Sequence, residues 1–438
     1  MNIVIVGSGL YSFTAAAQFA AVGNQVFLFS DPSETKNNSE EVSSETSSSE
    51  HAISKFRNEP GLNSLFRRQI VQNRIKQEFP SSDCKVDFVL LTDAAPSSTI
   101  NDFYPLFKKV TDENSCFIIF SPSRIGETKS VQNLVYDKGL NCKVVCVPLL
   151  IREGRALQDL SRPDNIIIGC DKHEILPRVK ALFYPFNRMK DTIRIVASME
   201  AEFATFAGNA MLATRLSFMN EMASLAEQVG VDVDVIRECI GADPRIGRDY
   251  LYPGCGYGGE ALQDNLSAVA NQLKTRHDDL GLLDTVTKIN ERQKDLLFRK
   301  IWNFYRGDIV GKTVAIWGAS FKPGSASLSG APAISLIDSL VEHEVMVVVY
   351  DPMANNNLRE KYFDQSLVKI TDRRDSALIN CDVLAICTEW KEFWSPDFAL
   401  LKDNLADKTI FDGRNLYSPE LLKTLGIKYY GIGRGAAL

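Results

Sequence analysis

Short apolar runs, alternating with longer polar or helix-periodic stretches, organise this chain. Residues 2–6, NIVIV, read as a buried strand, residues 8–23 carry small and apolar side chains at helical spacing, and residues 25–29, QVFLF, form a second apolar strand. Strand, helix and strand in that order make a βαβ opening and imply a parallel sheet. Runs of the same kind recur at DFVLLT, CFIIFS, KVVCVP and NIIIG, as a continuing doubly wound fold requires. The first domain is expected to end near Val196. Residues 32–50, PSETKNNSEEVSSETSSSE, have almost no apolar content and cannot offset their ordering entropy by burial. They predict a mobile surface insertion.

The pattern changes in the middle of the chain. From Ala201 to about Gln228, and again from Asp284 to Tyr305, apolar residues recur at helical spacing without proline, which predicts two long helices, the second connecting two domains. At Lys312 strand-like runs return: TVAIWG, VMVVVYDP, VLAICT and TIFDG. The expected fold is therefore α/β, with two Rossmann-like doubly wound domains joined by a central helical domain with a long connecting helix. The predicted boundaries are 1–196, 197–305 and 306–438.

Composition narrows the function classes. The 438 residues suffice for two or three domains with full cores, and a net charge of -6 argues against nucleic acid as the main partner. The nine cysteines are scattered, with no C-x-x-C pair and no histidine at metal-ligand spacing, so reduced thiols and no metal site are expected. No apolar run reaches the roughly 18 residues of a spanning helix. The start, MNIVIVGSG, is a strand and a turn without the basic residues of a signal peptide. The expected location is the cytoplasm.

Gly7, Gly9 and Ser12 stand at the positions of a G-x-G-x-x-G turn between the first strand and helix. The first glycine permits the turn, the second admits a pyrophosphate, and the third allows close helix packing. Ser12 breaks the third position. The turn taken alone leaves dinucleotide binding open.

Residues 245–265, RIGRDYLYPGCGYGGEALQDN, carry a more specific signal. They resemble the loop R-I-G-x-x-[FY]-L-x-P-G-x-G-[FY]-G-G-S-C-F-P-K-D of the UDP-glucose/GDP-mannose dehydrogenase family, and further motifs in matching order extend the resemblance over most of the chain. PLLIREGRALQD, AEFATFAGNAMLATRLSFMNE, WGASFKPGSASLSGAPA, TEWKEF, FDGRNLY and the terminal YYGIGRG all have counterparts there. The resemblance implies NAD as cofactor, held through Gly7, Gly9, Ser12 and Asp31. It implies a UDP-sugar substrate, held by Arg152, Glu153, Asn209, Arg245, Tyr250, Gly256, Tyr257, Gly258, Gly259, Lys322 and Arg414. It also implies a dimer formed through the central helices, either with a second copy or with an active homologue. Read without the resemblance, Arg245 and Lys322 are surface charges and the glycines, Gly254 among them, are turns.

The same alignment shows what has changed. The family's catalytic Lys, Cys and Asp fall on Thr205, Ala261 and Asn265, its Glu on Leu149 and its Thr on Pro122. Its acidic pair and cofactor arginine fall on Ala326, Ser327 and Ser329, and its ribose acid on Ser30, one residue before Asp31. Alanine cannot hold a sugar as a thiohemiacetal, and losing one member of a cooperating catalytic set costs orders of magnitude in rate. The expectation is a non-catalytic homologue that binds nucleotide sugar or a protein partner, its cofactor site eroded. The alternative is an NAD-dependent nucleotide-sugar dehydrogenase with an atypical active site, through two-electron oxidation or shifted residues. Asp264 and Cys255 are the candidates for a shift; Glu260 and Gln263 are new polar groups in the same loop.

Overall fold

A computed structural model describes residues 1–29, 56, 59–92, 96–188, 191–259, 262 and 281–434. The serine-rich stretch 32–50 lies outside the described residues, as do Ser30, Asp31, Glu260, Ala261, Gln263, Asp264 and Asn265. The chain divides into two compact units, 1–207 and 208–438, so the helical middle of the sequence counts largely with the second sheet.

The first unit runs β1 Asn2–Val6, α1 Leu10–Ala21, β2 Gln25–Phe29, α2 Leu62–Val71, β3 Ile75–Lys76, β4 Phe88–Leu91, α3 Pro96–Val110 and β5 Cys116–Ile119. It continues α4 Glu127–Asp137, β6 Lys143–Cys146, α5 Ala156–Ser161, β7 Ile166–Gly169, α6 Leu176–Phe183 and β8 Ile193–Val196, and then enters α7 Ser198–Val229. The sheet order is β3-β2-β1-β4-β5-β6-β7-β8. Its first six strands are parallel in doubly wound order, and β7 joins antiparallel to β6 through the Cys146–Gly169 bridge. Apolar clusters cover both faces, which is why β4 to β6 read as continuous apolar runs instead of alternating ones.

The second unit adds α8 Val233–Gly241, α9 Leu282–Lys294, α10 Leu296–Phe304, β9 Thr313–Trp317, α11 Pro332–Glu342, β10 Met346–Tyr350, α12 Asn355–Lys361 and β11 Val368–Ile370. Then come β12 Cys381–Ile386, α13 Phe398–Asn404, β13 Leu405–Asp412, α14 Pro419–Leu425 and β14 Lys428–Tyr430. Its sheet, β11-β10-β9-β12-β13-β14, is parallel throughout and repeats the doubly wound order of the first. In such sheets ligands bind beyond the carboxyl ends of the strands, where the strand order reverses. That edge falls after β1 and β4 in one unit and after β9 and β12 in the other.

Two sequence expectations differ in detail. The helix expected over 284–305 is two helices meeting at Asp295. The short strands β3, β8, β11 and β14 escaped the apolar pattern because they carry Lys or Arg (IK, IRIV, VKI, KYY), as edge strands commonly do. β3, β8, β11 and β14 are the outer strands of the two sheets. Among the described residues no helix is long and apolar enough to cross a membrane, and no group of His, Cys, Asp and Glu could hold a metal ion.

Candidate active site

In the first unit the glycine turn closes the carboxyl end of β1. Gly7 has φ 146°, a conformation side chains disfavour, and its N–H donates to the Phe29 carbonyl at 3.0 Å. Gly9 is the N-cap of α1. Ser12 is fully buried, its hydroxyl 2.8 Å from that of Thr92, which in turn donates to the Val6 carbonyl at 2.9 Å. The third position of the turn is thus filled by a side chain that is hydrogen-bonded between α1 and β4. Ser12 acts in helix–sheet packing. The residues present fit the phosphate end of a dinucleotide; the ribose end, with Asp31, falls outside the described residues.

The segment after β6 is held rigidly. The Arg152 backbone N and Nε donate to Asp159 Oδ2 at 2.9 and 3.0 Å, and its Nη2 donates to Oδ1 at 2.6 Å. Glu59 accepts from the backbone N–H groups of Gly154 and Ala156. Arg152 therefore shapes the turn, and the next residue, Glu153, keeps one buried carboxylate oxygen, Oε2, without a partner among the described residues.

The positions that lost the family's catalytic side chains are now structural. Leu149 belongs to the apolar core of the first unit. Thr205 donates its hydroxyl to the Ala201 carbonyl one helical turn back, at 3.0 Å. Pro122 follows Ser121, whose hydroxyl donates to the Thr92 carbonyl at 2.5 Å. The neighbouring Glu202 accepts from the N–H of Gly126 and from both N–H and hydroxyl of Thr128, capping α4.

The second unit gathers most of the substrate residues expected from the resemblance. Gly254 lies against Arg414: a Cβ there would stand 2.9 Å from Nη1. Gly258 lies on Gly330, where a Cβ would meet the carbonyl oxygen at 2.5 Å, and Gly259, at φ 88°, lies on the Phe321 ring at 2.6 Å. The Gly259 N–H donates to the Ser329 carbonyl at 2.9 Å. Lys322 Nζ sits 5.4 Å from the centre of that Phe321 ring. The loop, the Phe321–Gly330 segment and Arg414 thus form one cradle at the carboxyl edge of the second sheet, with glycine where a neighbouring backbone or side chain comes too close for a Cβ.

Arg414 anchors the cradle, its Nε donating to the Cys387 carbonyl at 2.7 Å and lying 3.2 Å from Glu389. Tyr257 is buried, its phenol pushed up by burial. Cys255 is fully buried with its sulfur 3.7 Å from the Cys387 carbonyl oxygen, and a Cβ on Gly413 would meet that sulfur at 2.7 Å, which places Cys255 as a packing residue under the loop. Asn209 is 4% exposed, and its Nδ2 has no partner among the described residues. Arg245 is not part of the cradle as the chain stands alone: its side chain is 87% exposed and paired with Asp243 at 2.6 Å. Tyr250 holds a left-handed φ of 58° in the turn leading to the loop.

Several supporting residues were not singled out from the sequence. Asn290 makes a reciprocal pair with the Tyr257 backbone at 2.9 Å each way, Gln293 donates to the Gly254 carbonyl at 2.6 Å, and Asn220 accepts from the Gly254 N–H at 2.9 Å. Their signal was polar residues on the inward faces of otherwise apolar helices. Asp351, at the end of β10, accepts from the backbone N–H groups of Ala319, Ser320, Met353 and Ala354, the Ser320 hydroxyl and the Trp390 indole. It fixes the turn after β9 that leads into Lys322. Ser327 and Ser329, at positions aligned with the family's charged residues, take part in turn bonds: the Ser327 N–H donates to Ser325 Oγ at 3.0 Å and the Ser329 N–H to Ser327 Oγ at 3.3 Å.

Two doubly wound sheets, a dinucleotide-type glycine turn on one and a glycine-lined, arginine-anchored cradle on the other define a two-Rossmann nucleotide-binding protein of the sugar-nucleotide dehydrogenase type. Residues 199–292 match the UDP-glucose/GDP-mannose dehydrogenase family, central domain, and residues 315–419 match its UDP binding domain. The chain is 32% identical to a UDP-glucose 6-dehydrogenase of Pseudomonas aeruginosa, over all of this chain and 98% of that one, and 26% identical to one of Bacillus subtilis over 100% and 99%. Among solved structures it resembles a UDP-glucose dehydrogenase from Pyrobaculum islandicum (TM-score 0.78, 22% identity, 99% and 97% covered). It also resembles a UDP-D-ManNAc dehydrogenase from Pyrococcus horikoshii (TM-score 0.80, 21% identity, both chains covered in full). The chain belongs to the UDP-glucose/GDP-mannose dehydrogenase family.

These relatives correct one expectation. The non-catalytic reading, with its role as the silent partner of an active homologue, rested on Leu149, Pro122, Thr205, Ala261 and Asn265. Full-length relatives at 26–32% identity named UDP-glucose 6-dehydrogenase overturn it in favour of an active dehydrogenase. The physical reason is that losing one catalytic set removes one route: an oxidation that stops at the aldehyde needs no thiolate, and a proton acceptor can stand elsewhere on the same edge.

Proposed function

We propose that this protein is an NAD-dependent nucleotide-sugar dehydrogenase with an atypical active site. The observation that carries this reading is its end-to-end correspondence with UDP-glucose 6-dehydrogenase of Pseudomonas aeruginosa, 32% identical over 100% of this chain and 98% of that one. In the cradle of Gly254, Gly256, Gly258, Gly259, Lys322 and Arg414 the glycines shape the loop and the two cations would face a UDP diphosphate. The buried Asn209 amide supports a polar ligand, since an unpaired buried donor costs about 1–3 kcal/mol until something accepts from it. Gly7 and Gly9 would hold the NAD diphosphate, and bound NAD would supply the hydride acceptor. The proposed location is the cytoplasm.

Because Ala261 cannot hold an aldehyde covalently, oxidation is expected to stop after two electrons. Incubating the protein with UDP-glucose and related nucleotide sugars in excess NAD, and measuring NADH against sugar consumed, should give one NADH per sugar. Two per sugar would instead place a shifted residue, Asp264 before Cys255, in the second step. No NADH from any nucleotide sugar would reject the reading.

The proposal includes a homodimer through α7. Met211, Phe218 and Leu225, seven residues apart and therefore nearly in line, are 61%, 50% and 49% exposed, an apolar stripe that a second copy would cover. Sedimentation of the wild type should give a dimer, and Phe218→Glu should give a monomer at micromolar concentration. A monomeric wild type would remove this part of the proposal.

A further inference from the structure

We propose that Asn290 is the positioning residue of the nucleotide-sugar cradle, its carboxamide setting the height of the glycine loop and with it the affinity for a nucleoside diphosphate sugar. This role rests on the nucleotide-sugar cradle of the reading above and concerns the second unit alone. A loop residue outside regular secondary structure has no ladder partner for its N–H and C=O, and burial makes both costly to leave open. Tyr257 is such a residue: its side chain packs with Ala213 of α7 and Val286 of α9, which carries its backbone inside. Asn290 lies one helical turn after Val286 and is 1% exposed. It answers both groups, accepting from the Tyr257 N–H and donating to the Tyr257 C=O, each at 2.9 Å. A carboxamide offers a donor and an acceptor side by side, whereas an ionised carboxylate only accepts and an alkyl chain does neither.

The two ends of the loop lie against the residues that bring the cations. Gly254 packs on Arg414, with Gln293 of α9 donating to its C=O at 2.6 Å and Asn220 of α7 accepting from its N–H at 2.9 Å. Gly259 packs on the Phe321 ring, and Lys322 Nζ sits 5.4 Å from the centre of that ring. Tyr257 falls between these ends. Gly256, at φ 103°, turns the chain over Asn290 itself, where a Cβ would stand 3.3 Å from Oδ1. Val286, Asn290 and Gln293 thus present one face of α9 to the loop, and the reciprocal bond of Asn290 fixes the middle of its span. Releasing the middle lets the loop rise between Arg414 and Phe321, and a displacement of about 1 Å in such a site can cost on the order of 100-fold in function. Asn290 acts through the Tyr257 backbone, so its substitution changes how the ligand is held and removes no reacting group.

Asn290→Leu and Asn290→Asp test this by calorimetry with UDP-glucose in the absence of NAD, with folding checked by thermal melting. Asn290→Leu keeps the volume and loses both bonds, and its Kd should rise at least ~10-fold, the equivalent of about one hydrogen bond. Asn290→Asp should approach wild type as the pH falls toward about 5, because a protonated carboxyl again offers a donor beside an acceptor. In the wild type, saturating UDP-glucose should slow hydrogen exchange at the Tyr257 amide at least ~10-fold, a measurement that needs no variant to fold. A purely structural role would lower the melting temperature of Asn290→Leu and leave the Kd of the folded protein within about threefold of wild type, which overturns the role of Asn290. So does Asn290→Asp binding no better than Asn290→Leu at low pH, or Tyr257 exchange that UDP-glucose leaves unchanged. A wild type that binds no UDP-glucose overturns the role as well, whereas one that binds it and forms no NADH from any nucleotide sugar overturns the dehydrogenase reading alone.

Discussion

Gly258→Ala is expected to cripple the nucleotide-sugar cradle. The added Cβ would stand 2.5 Å from the Gly330 carbonyl oxygen and 2.8 Å from that of Ser329, and both obstacles are backbone, which cannot rotate aside. Relief requires the loop and the Ser329–Gly330 turn to part, which breaks the bond from Gly259 N–H to the Ser329 carbonyl. Overpacking of this kind typically costs ~1–3 kcal/mol, and a shift of about 1 Å at a binding site can cost on the order of 100-fold in function. Calorimetry should therefore show UDP-glucose affinity falling far more than the modest drop in melting temperature would suggest. An affinity within threefold of wild type would show that the loop's backbone does not shape the site. Gly256→Ala would add backbone strain to crowding, because Gly256 sits at φ 103° with Lys294 Cγ 3.1 Å from where its Cβ would stand.

Asp351→Ala is expected to have the largest effect on stability. Its carboxylate serves four backbone N–H groups, a hydroxyl and an indole, and it is fully buried. Each buried donor left unpaired costs ~1–3 kcal/mol, so even with water recovering some of them the loss should reach at least ~4 kcal/mol, a large share of the ~5–15 kcal/mol that a domain usually has. Urea unfolding should show this as an early transition of the second unit. Faster hydrogen exchange at the Ala319 and Ser320 amides would tie the loss to the turn that leads to Lys322. An unchanged midpoint would mean that the turn holds itself without the carboxylate.

Much of the candidate site was legible in the chain. The glycine spacing at 254–259 and the FDGRN and SFK segments named residues that do come together, because a Cβ at Gly254, Gly258 or Gly259 would stand within 3 Å of a neighbour and such close approaches leave a mark in sequence. The reading of lost function was not sound. It treated catalytic groups as tied to alignment positions, whereas a proton acceptor needs only the right place in space. Ser12 was misjudged for a related reason. As a letter it is a damaged glycine, but in the fold its hydroxyl finds Thr92, 80 residues away.

The sequence by itself determined the two parallel sheets, the helical middle and the family, since these follow from local periodicity and from motifs that keep their order. Tertiary structure alone decided which polar residues are committed and which face a ligand. The Glu202 and Asp351 carboxylates are consumed by backbone donors that only folding brings near, and the Arg152 guanidinium by the Asp159 carboxylate. Asn209 and Glu153 are marked in the sequence only by the resemblance; folding adds that each keeps a buried polar atom without a partner among the described residues. Burial prices every polar atom by its partners, and for a chain folded over hundreds of residues those partners are not sequence neighbours.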